Sequence, residues 1–376
     1  MPGLNPNVDP DGLLEYSVVF TDRSLNHMSQ AFQEVMRDIS ASLKQVYNAH
    51  SVALVPGSGT YAMEAVARQF AGGKPCLIVR NGLFSFRWTQ ILDTGGISSD
   101  QTVIKARPVA EGPRAPWAPA PLEEIVASIG KHKPAVVFAP HVDTSAGIIL
   151  PEEYIRAIGE AAHAVGALFV LDCVASGAVW VDMKAQNVDV IVSAPQKGWS
   201  STPCAGMVML SEEARRRSEE ATSSSFACDL GAWLRIMDAY EKGGHAYHAT
   251  MPTDGLRTFR DTIREVEAMG LDAAAKAQWE LGTQARALLV ERGYPSIAAR
   301  GFEAPGVIVS YTEGEGALTA KKFAQAGLQV AAGVPLKCDE GDDFHTFRVG
   351  LFGLDKLQNI ERTMRYLREA LDKVGK

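Results

Sequence analysis

The feature that most limits how this chain can fold is a series of short runs that are apolar on both faces. Residues 51–55, 76–80, 135–139, 168–171 and 188–193 are rich in β-branched and other apolar side chains, and stretches of helical period lie between them. A strand with one wet face alternates apolar and polar residues. A strand apolar on both faces must be covered on both sides, which is the situation of a mostly parallel sheet flanked by helices. Residues 61–70, and 152–165 after Pro151, supply helices of that kind. Such alternation predicts right-handed crossovers in an α/β layer structure. Residues 205–210 read as one more strand. Past residue 255 the texture changes. Long helical stretches occupy 256–293, strand candidates fall at 306–311 and 346–349, and a helix lies at 317–325. A final helix sets Leu357, Ile360, Met364, Leu367 and Leu371 on one face. The expected organisation is an N-terminal segment (1–20), a large α/β domain (21–255) and a smaller C-terminal α+β domain (256–376). The length, 376 residues, suits two packed domains. The proline- and alanine-rich stretch 112–121 reads as a surface loop.

Composition narrows the functional classes. The net charge is −7, with no basic stripe of the kind nucleic acid requires, so no nucleic-acid partner is expected. The one basic run, Arg215-Arg216-Arg217, stands among Glu212, Glu213, Glu219 and Glu220 and reads as a solvated helix face of paired charges. No stretch approaches ~20 unbroken apolar residues, so no membrane span is expected. Residues 1–11 lack the pattern of a signal peptide. Five scattered cysteines (Cys76, Cys173, Cys204, Cys228, Cys338) fit neither a disulfide framework nor a zinc knuckle. They point to a reducing compartment, hence a cytoplasmic location. No metal site is expected; His245 and His248 have a helix-compatible spacing but no Cys or carboxylate beside them.

Three motifs carry potential chemistry. In Pro56-Gly57-Ser58-Gly59-Thr60, a strand ends and a helix begins. Glycines permit the tight turn, and free N–H groups at a helix start attract an anion, with Ser58 and Thr60 as hydroxyl donors. The turn also fits a dinucleotide fingerprint, through Gly57, Gly59 and Ala62. That fingerprint needs an acid at the end of the next strand, and Arg80-Asn81-Gly82 has none. Asp172 closes a very apolar strand, at the sheet edge where open α/β folds bind ligands. Lys197 follows another buried strand, where an amine can lose its proton and become nucleophilic. Each alone has an ordinary alternative: a capped turn, a loop-capping aspartate, a surface lysine. Together, an anion cradle, an acid and a lysine on one sheet edge are what pyridoxal phosphate needs for its phosphate, its ring nitrogen and its aldehyde.

From about residue 20 to the C-terminus, the chain resembles the class V aminotransferases of fold type I, especially the alanine–glyoxylate and serine–glyoxylate group. That resemblance implies pyridoxal 5'-phosphate as cofactor, with Ser58, Gly59 and Thr60 on its phosphate. Asn81-Gly82-Leu83-Phe84 is similar to the stretch whose aromatic ring stacks on the pyridine, which implicates Phe84. His141-Val142-Asp143-Thr144-Ser145-Ala146-Gly147 is similar to a His-x-Glu-(Ser/Thr)-Ser-Thr-Gly segment, in which the hydroxyl matching Thr144 faces the cofactor. The resemblance gives Asp172 to the ring nitrogen, Val174 to the underside of the ring, and Gln196-Lys197 to the Schiff-base linkage. Tyr247-His248-Ala249-Thr250 is similar to a segment reaching the phosphate across a dimer interface, so Tyr247 and Thr250 imply a homodimer. Phe347-Arg348-Val349-Gly350 implies that Arg348 grips the substrate α-carboxylate, a job suited to a guanidinium fork.

The implied reaction moves an amino group from a small amino acid, alanine- or serine-like, to a small 2-oxo acid such as glyoxylate or pyruvate. The chain departs from the family where many members carry Gly-Pro-Gly-Pro near the substrate. Here the region reads Asp9-Pro10-Asp11-Gly12-Leu13-Leu14-Glu15-Tyr16, which leaves the donor and acceptor open, an aminophosphonate included. The alternative is a lyase of the same fold, similar to cysteine desulfurases or kynureninases. Desulfurases have His directly before the lysine, where this chain has Gln196, and need a mobile nucleophilic cysteine. Cys338 lies on a polar loop but reads as a buried or idle thiol. A cofactor-binding regulator would need a DNA-binding module that residues 1–20 are too few to form.

Overall fold

The computed structural model describes residues 8–375; residues 1–7 of the N-terminal segment, and Lys376, lie outside them. Helix α1 (Gln30–Tyr47) opens at Ser29, whose Oγ accepts from the Phe32 N–H, and stops at Asn48 in the left-handed region (φ 52°). Its face of Phe32, Val35, Met36, Ile39 and Leu43 is buried in the main core.

The expected mostly parallel α/β sheet is present. Its strands are β1 (Ser51–Pro56), β2 (Cys76–Arg80), β3 (Gln101–Lys105), β4 (Val136–Pro140), β5 (Leu168–Asp172), β6 (Val190–Ser193) and β7 (Ala205–Leu210). They lie in the order β1-β7-β6-β5-β4-β2-β3. Strands β6, β5, β4, β2 and β3 pair in parallel. Strand β7 runs antiparallel to both β1 and β6, so β1 points the same way as the parallel set. The carboxyl ends of β1, β2, β4, β5 and β6 therefore meet at one edge. Register brings Asp172 level with Pro140 on one side and Val192 on the other.

Helix α2 (Gly59–Phe70) follows β1 and packs on β7, β1 and β6, while α3 (Leu83–Thr94) follows β2 and packs on it and on β4. Helices α4 (Leu122–His132) and α5 (Glu152–Ala164) pack side by side. In α6 (Glu212–Glu220), Arg216 pairs with Glu213 and Glu220, and Arg217 with Glu213, as expected of a solvated charged face. Helix α7 (Leu230–Glu241) lies against β1, and α8 (Thr253–Met269) against α1. Although α8 lies past residue 255, its Leu256, Phe259, Ile263 and Val266 enter the main core. Each such side chain, fully buried, contributes about 1.5–3 kcal/mol of transfer free energy.

Beyond Gly270 (φ 91°), α9 (Leu271–Glu291) begins a second packing unit. Its three-stranded sheet has the order β8 (Val307–Tyr311), β10 (Thr346–Gly350), β9 (Ala331–Ala332), and α10 (Gly316–Gln325) packs beside it. The last helical stretch is two pieces, α11 (Leu354–Gln358) and α12 (Ile360–Val374). Asn359 breaks them: its backbone leaves the helical region (φ −133°, ψ 54°) and its Nδ2 donates to the Asp355 carbonyl at 2.9 Å. Leu357, Met364, Leu367 and Leu371 still bury together, with Leu281, Ile308, Phe323 and Phe347.

The stretch at 112–121 is not wholly a surface loop. Trp117–Ala118 pairs with Arg107–Pro108, and Ala115, Trp117, Ala118 and Ala120 are buried. The indole Nε1 of Trp117 donates to the Tyr311 hydroxyl at 3.2 Å, which draws the segment inward. Among the described residues no helix is long and apolar enough to cross a membrane.

Candidate active site

At the shared carboxyl edge a small cavity is lined by Gly59, Thr60, Phe84, Thr144, Asp172, Val174 and Lys197, together with Met63, Arg87, Val142 and Ala175. Seven residues singled out from the sequence thus face one space, although they come from separate loops. Open parallel sheets place ligands at this edge, because the loops there diverge and leave a crevice.

The floor is set by close packing. A Cβ on Gly59 would stand 2.7 Å from Val174 Cγ2, so glycine alone lets the start of α2 sit against Val174. Ser58 precedes that helix in extended conformation with no side-chain capping bond. The N–H groups of Gly59 and Thr60 lie outside the helix's own ladder, at the end of the cavity that these two residues line.

Asp172 ends β5 nearly buried, 6% exposed, and its Oδ1 accepts from the Val174 N–H at 2.9 Å. Burial raises its pKa to about 6, while the Val174 N–H and the Lys197 charge oppose that rise. Lys197 lies in the turn after β6, closed by the Ser200 N–H donating to the Lys197 carbonyl at 3.0 Å. Burial lowers its pKa, and the Arg348 and Arg87 charges push the same way against the attraction of Asp172 and Asp143. An amine made easier to deprotonate thus shares a cavity with a carboxylate that burial makes reluctant to ionise. Perturbed pairs of this kind mark reactive sites.

The Phe84 ring is the point around which the cations gather. Its centroid is 5.2 Å from Arg87 Cζ, 5.9 Å from Lys197 Nζ and 5.9 Å from Arg348 Cζ. Arg348 lies on β10, level with Val309 and Ala331. Strand alternation sends its neighbour Phe347 into the second core, stacked on Phe323 at 5.4 Å, and leaves Arg348 on the face toward Phe84. Arg348 Nε donates to the Ala332 carbonyl at 2.9 Å, which fixes the fork and leaves its other nitrogens for a ligand.

Five expected residues lie outside the cavity lining: Arg348, beside Phe84, and Ser58, Gln196, Tyr247 and Thr250. Ser58 flanks it. Gln196 is partly buried, with its Oε1 unpartnered. Tyr247, 54% exposed, bonds Thr250, also exposed, at 3.1 Å on the outer surface.

The structure also shows groups beyond the cofactor and substrate residues expected from the sequence. Asp143, fully buried, accepts from the N–H and Oγ of both Ser85 (2.8 and 2.7 Å) and Ser145 (3.0 and 2.6 Å). This carboxylate seats the start of α3 and with it Phe84. Gly82 is required there, since a Cβ would stand 2.1 Å from Ser145 Oγ and 2.5 Å from Asp143 Oδ1. Phe352 is 5.7 Å from Lys197 Nζ. His141 bonds Ser176 Oγ at 2.7 Å through Nδ1, and burial lowers its pKa to about 4, so the ring stays neutral. Cys338 is buried, its thiol directed at the carbonyls of Arg80 and Leu336 and pushed up to about 12, chiefly by burial. His248 bonds the Phe226 carbonyl at 2.8 Å, and no metal-binding cluster occurs among the described residues.

The donor set fits pyridoxal phosphate on this geometry. An uncapped helix start and hydroxyls match a phosphate, an aromatic ring and a valine match the two faces of a pyridine, and a buried carboxylate and lysine match its nitrogen and its aldehyde.

Comparison with known proteins agrees. The family model for class-V aminotransferases matches residues 13–351. Rat alanine–glyoxylate aminotransferase is 24% identical over 362 residues, 93% of this chain and 82% of the rat protein. The 2-aminoethylphosphonate–pyruvate transaminase 2 of Paraburkholderia xenovorans is 24% identical over 385 residues, covering 100% of this chain and 99% of its own. The crystal structure of an alanine–glyoxylate aminotransferase from Nostoc superposes with a TM-score of 0.77 at 23% identity, covering 92% of this chain and 88% of that one.

Proposed function

The chain belongs to the class-V aminotransferase family, and from that premise we propose that it is a pyridoxal 5'-phosphate-dependent transaminase acting on a small amino acid and a small 2-oxo acid. One observation carries the reading: Asp172, Lys197, Phe84, Val174, Thr144 and the Gly59-Thr60 helix start line one cavity. When bound, the cofactor supplies an electron sink for negative charge at the substrate α-carbon. The Asp172 carboxylate would hold a proton on the ring nitrogen, a positive partner that would offset the burial which raises its own pKa. Lys197 Nζ, already biased toward its neutral form, would anchor the cofactor aldehyde and would serve as the base and acid that moves the substrate α-proton. Phe84 and Val174 would hold the ring from its two faces, with Thr144 facing it. Ser58, Gly59 and Thr60 bind the phosphate, with Gln196 beside the lysine. The fork of Arg348 orients the α-carboxylate of donor and acceptor in turn.

The reading includes a homodimer. Tyr247 and Thr250 sit on the outer surface of their own protomer, and C2 pairing would bring them to the partner's phosphate. It also includes the division into domains at 21–255 and 256–376, with α8 clasped to the larger one, and a cytoplasmic location, supported by five free, buried cysteines. A desulfurase-like lyase is disfavoured by the burial of Cys338 and by Gln196 before the lysine. The full-length match to a 2-aminoethylphosphonate transaminase favours an aminophosphonate as second choice of donor, with Arg348 then reading the acceptor's carboxylate. A panel of amino acids and 2-aminoethylphosphonate, mixed singly with the yellow holoenzyme, tests this. A small amino acid should bleach the visible band and a 2-oxo acid restore it. No bleaching by any amine would reject transamination.

A further inference from the structure

We propose that Arg87 is a phosphate-binding residue of this site, supplying the positive charge that the helix start cannot. The proposal rests on the reading of the cavity as a pyridoxal-phosphate site. A phosphate monoester carries about −1.5 to −2 charges near neutral pH, whereas a helix N-terminus offers only about +0.5. Ser58, Gly59 and Thr60 contribute hydroxyls and N–H groups but no full charge. The other cations near the Phe84 ring, Lys197 and Arg348, are assigned to the aldehyde and to the substrate carboxylate.

Arg87 has the position and the freedom for the task. It lies three residues after Phe84 on α3, so one helix face presents both the ring and the guanidinium to the cavity. The Asp143 bonds to Ser85 fix the start of that helix and hence both side chains. Nη1 of Arg87 donates to Thr60 Oγ1 at 3.0 Å, which holds the guanidinium beside the first turn of α2. Among the described residues Arg87 makes no ion pair, so its remaining N–H groups are not spent on a carboxylate. Because it donates to Thr60, it also leaves that hydroxyl's proton free to point at the phosphate.

The test compares ligands that differ only in the phosphate. Apoenzyme of the wild type, Arg87→Gln and Arg87→Lys is titrated with pyridoxal phosphate and with pyridoxal, following tryptophan fluorescence, and inorganic phosphate is used as a competitor. Loss of charge-assisted hydrogen bonds should weaken pyridoxal phosphate binding by Arg87→Gln about tenfold or more. Pyridoxal binding should be unchanged, inorganic phosphate should lose its ability to compete, and Arg87→Lys should recover part of the loss. Equal weakening of both ligands would overturn the proposal, since Arg87 would then only shape the ring pocket. Unchanged pyridoxal phosphate binding with a raised KM for a dicarboxylic 2-oxo acid would overturn it in favour of a substrate role. Should Arg87→Gln fail to fold, Arg87→Lys against the two ligands decides by the same difference. A wild type that binds neither ligand would instead reject the cofactor reading itself.

Discussion

Replacing Asp172 with Asn should make the cofactor-free protein more stable at neutral pH while disabling the chemistry. Burial raises the carboxyl pKa from an ordinary 3.8 to about 6. The folded state therefore binds a proton more tightly than the unfolded state. Stability linked to this group is fully present below the unfolded pKa and is lost as pH rises from about 4 through about 6. A shift of about two units corresponds to about 3 kcal/mol, and no screening discount applies because the side chain is nearly buried. An amide cannot ionise, so Asp172→Asn escapes that loss and should gain up to about 3 kcal/mol at pH 8 and little at pH 4. Unfolding entropy is roughly 2 cal/mol/K per residue, which for 376 residues makes the gain about 4 °C in Tm. Thermal unfolding of both apoproteins across pH 4–8 measures it. Cofactor should still bind, yet proton abstraction in a single half-reaction should nearly vanish, because the amide cannot hold the ring nitrogen protonated. Parallel pH profiles for the two apoproteins, or a variant less stable at pH 8, would refute the claim that Asp172 is kept ionised at a cost to the fold.

Arg348→Lys should raise KM for amino donor and 2-oxo acceptor alike, by about tenfold or more, since Lys keeps the charge but loses the planar fork worth roughly 1.5–3 kcal/mol per charged hydrogen bond; steady-state kinetics with both substrates varied checks this. A fall in turnover with both KM values unchanged would place Arg348 in the transition state instead. Sedimentation should show a stable homodimer, and Tyr247→Phe and Thr250→Ala should each weaken cofactor retention although both residues lie outside their own protomer's cavity. A fully active monomer would contradict the shared site.

The legible and illegible parts of this protein separate by how local their determinants are. Strands such as Leu168–Asp172 and Ala205–Leu210 are buried throughout, so their composition alone betrays them. The edge strand Gln101–Lys105 escapes because it is paired on one side only and mixes polar residues with half-buried ones. The antiparallel direction of Ala205–Leu210 depends on which strands flank it, a matter of topology that its sequence does not carry. Helix α12 has the periodicity expected of it, but the break at Asn359 comes from one residue's backbone. In the site, Asp172 is visible because it closes an apolar run, and Lys197 because it stands in the turn just past another. Asp143 looks like any polar loop residue until its four hydrogen bonds to Ser85 and Ser145 are seen. Arg87 becomes notable only once α3 sets it on the same face as Phe84, within reach of Thr60, 27 residues earlier in the chain, at the start of α2. The proximity of Arg348 to Phe84 joins two packing units and no local pattern encodes it.

The central claim is that Lys197 carries the cofactor, and chemical trapping tests it most directly. Borohydride reduction of the holoenzyme, followed by proteolysis and mass spectrometry, should place the mass of reduced pyridoxal phosphate on the peptide containing Lys197 and abolish activity in proportion. The same treatment of Lys197→Ala should leave every peptide unlabelled. A label on another lysine of the wild type, or no label on an active enzyme, would contradict the assignment and with it the account of this cavity.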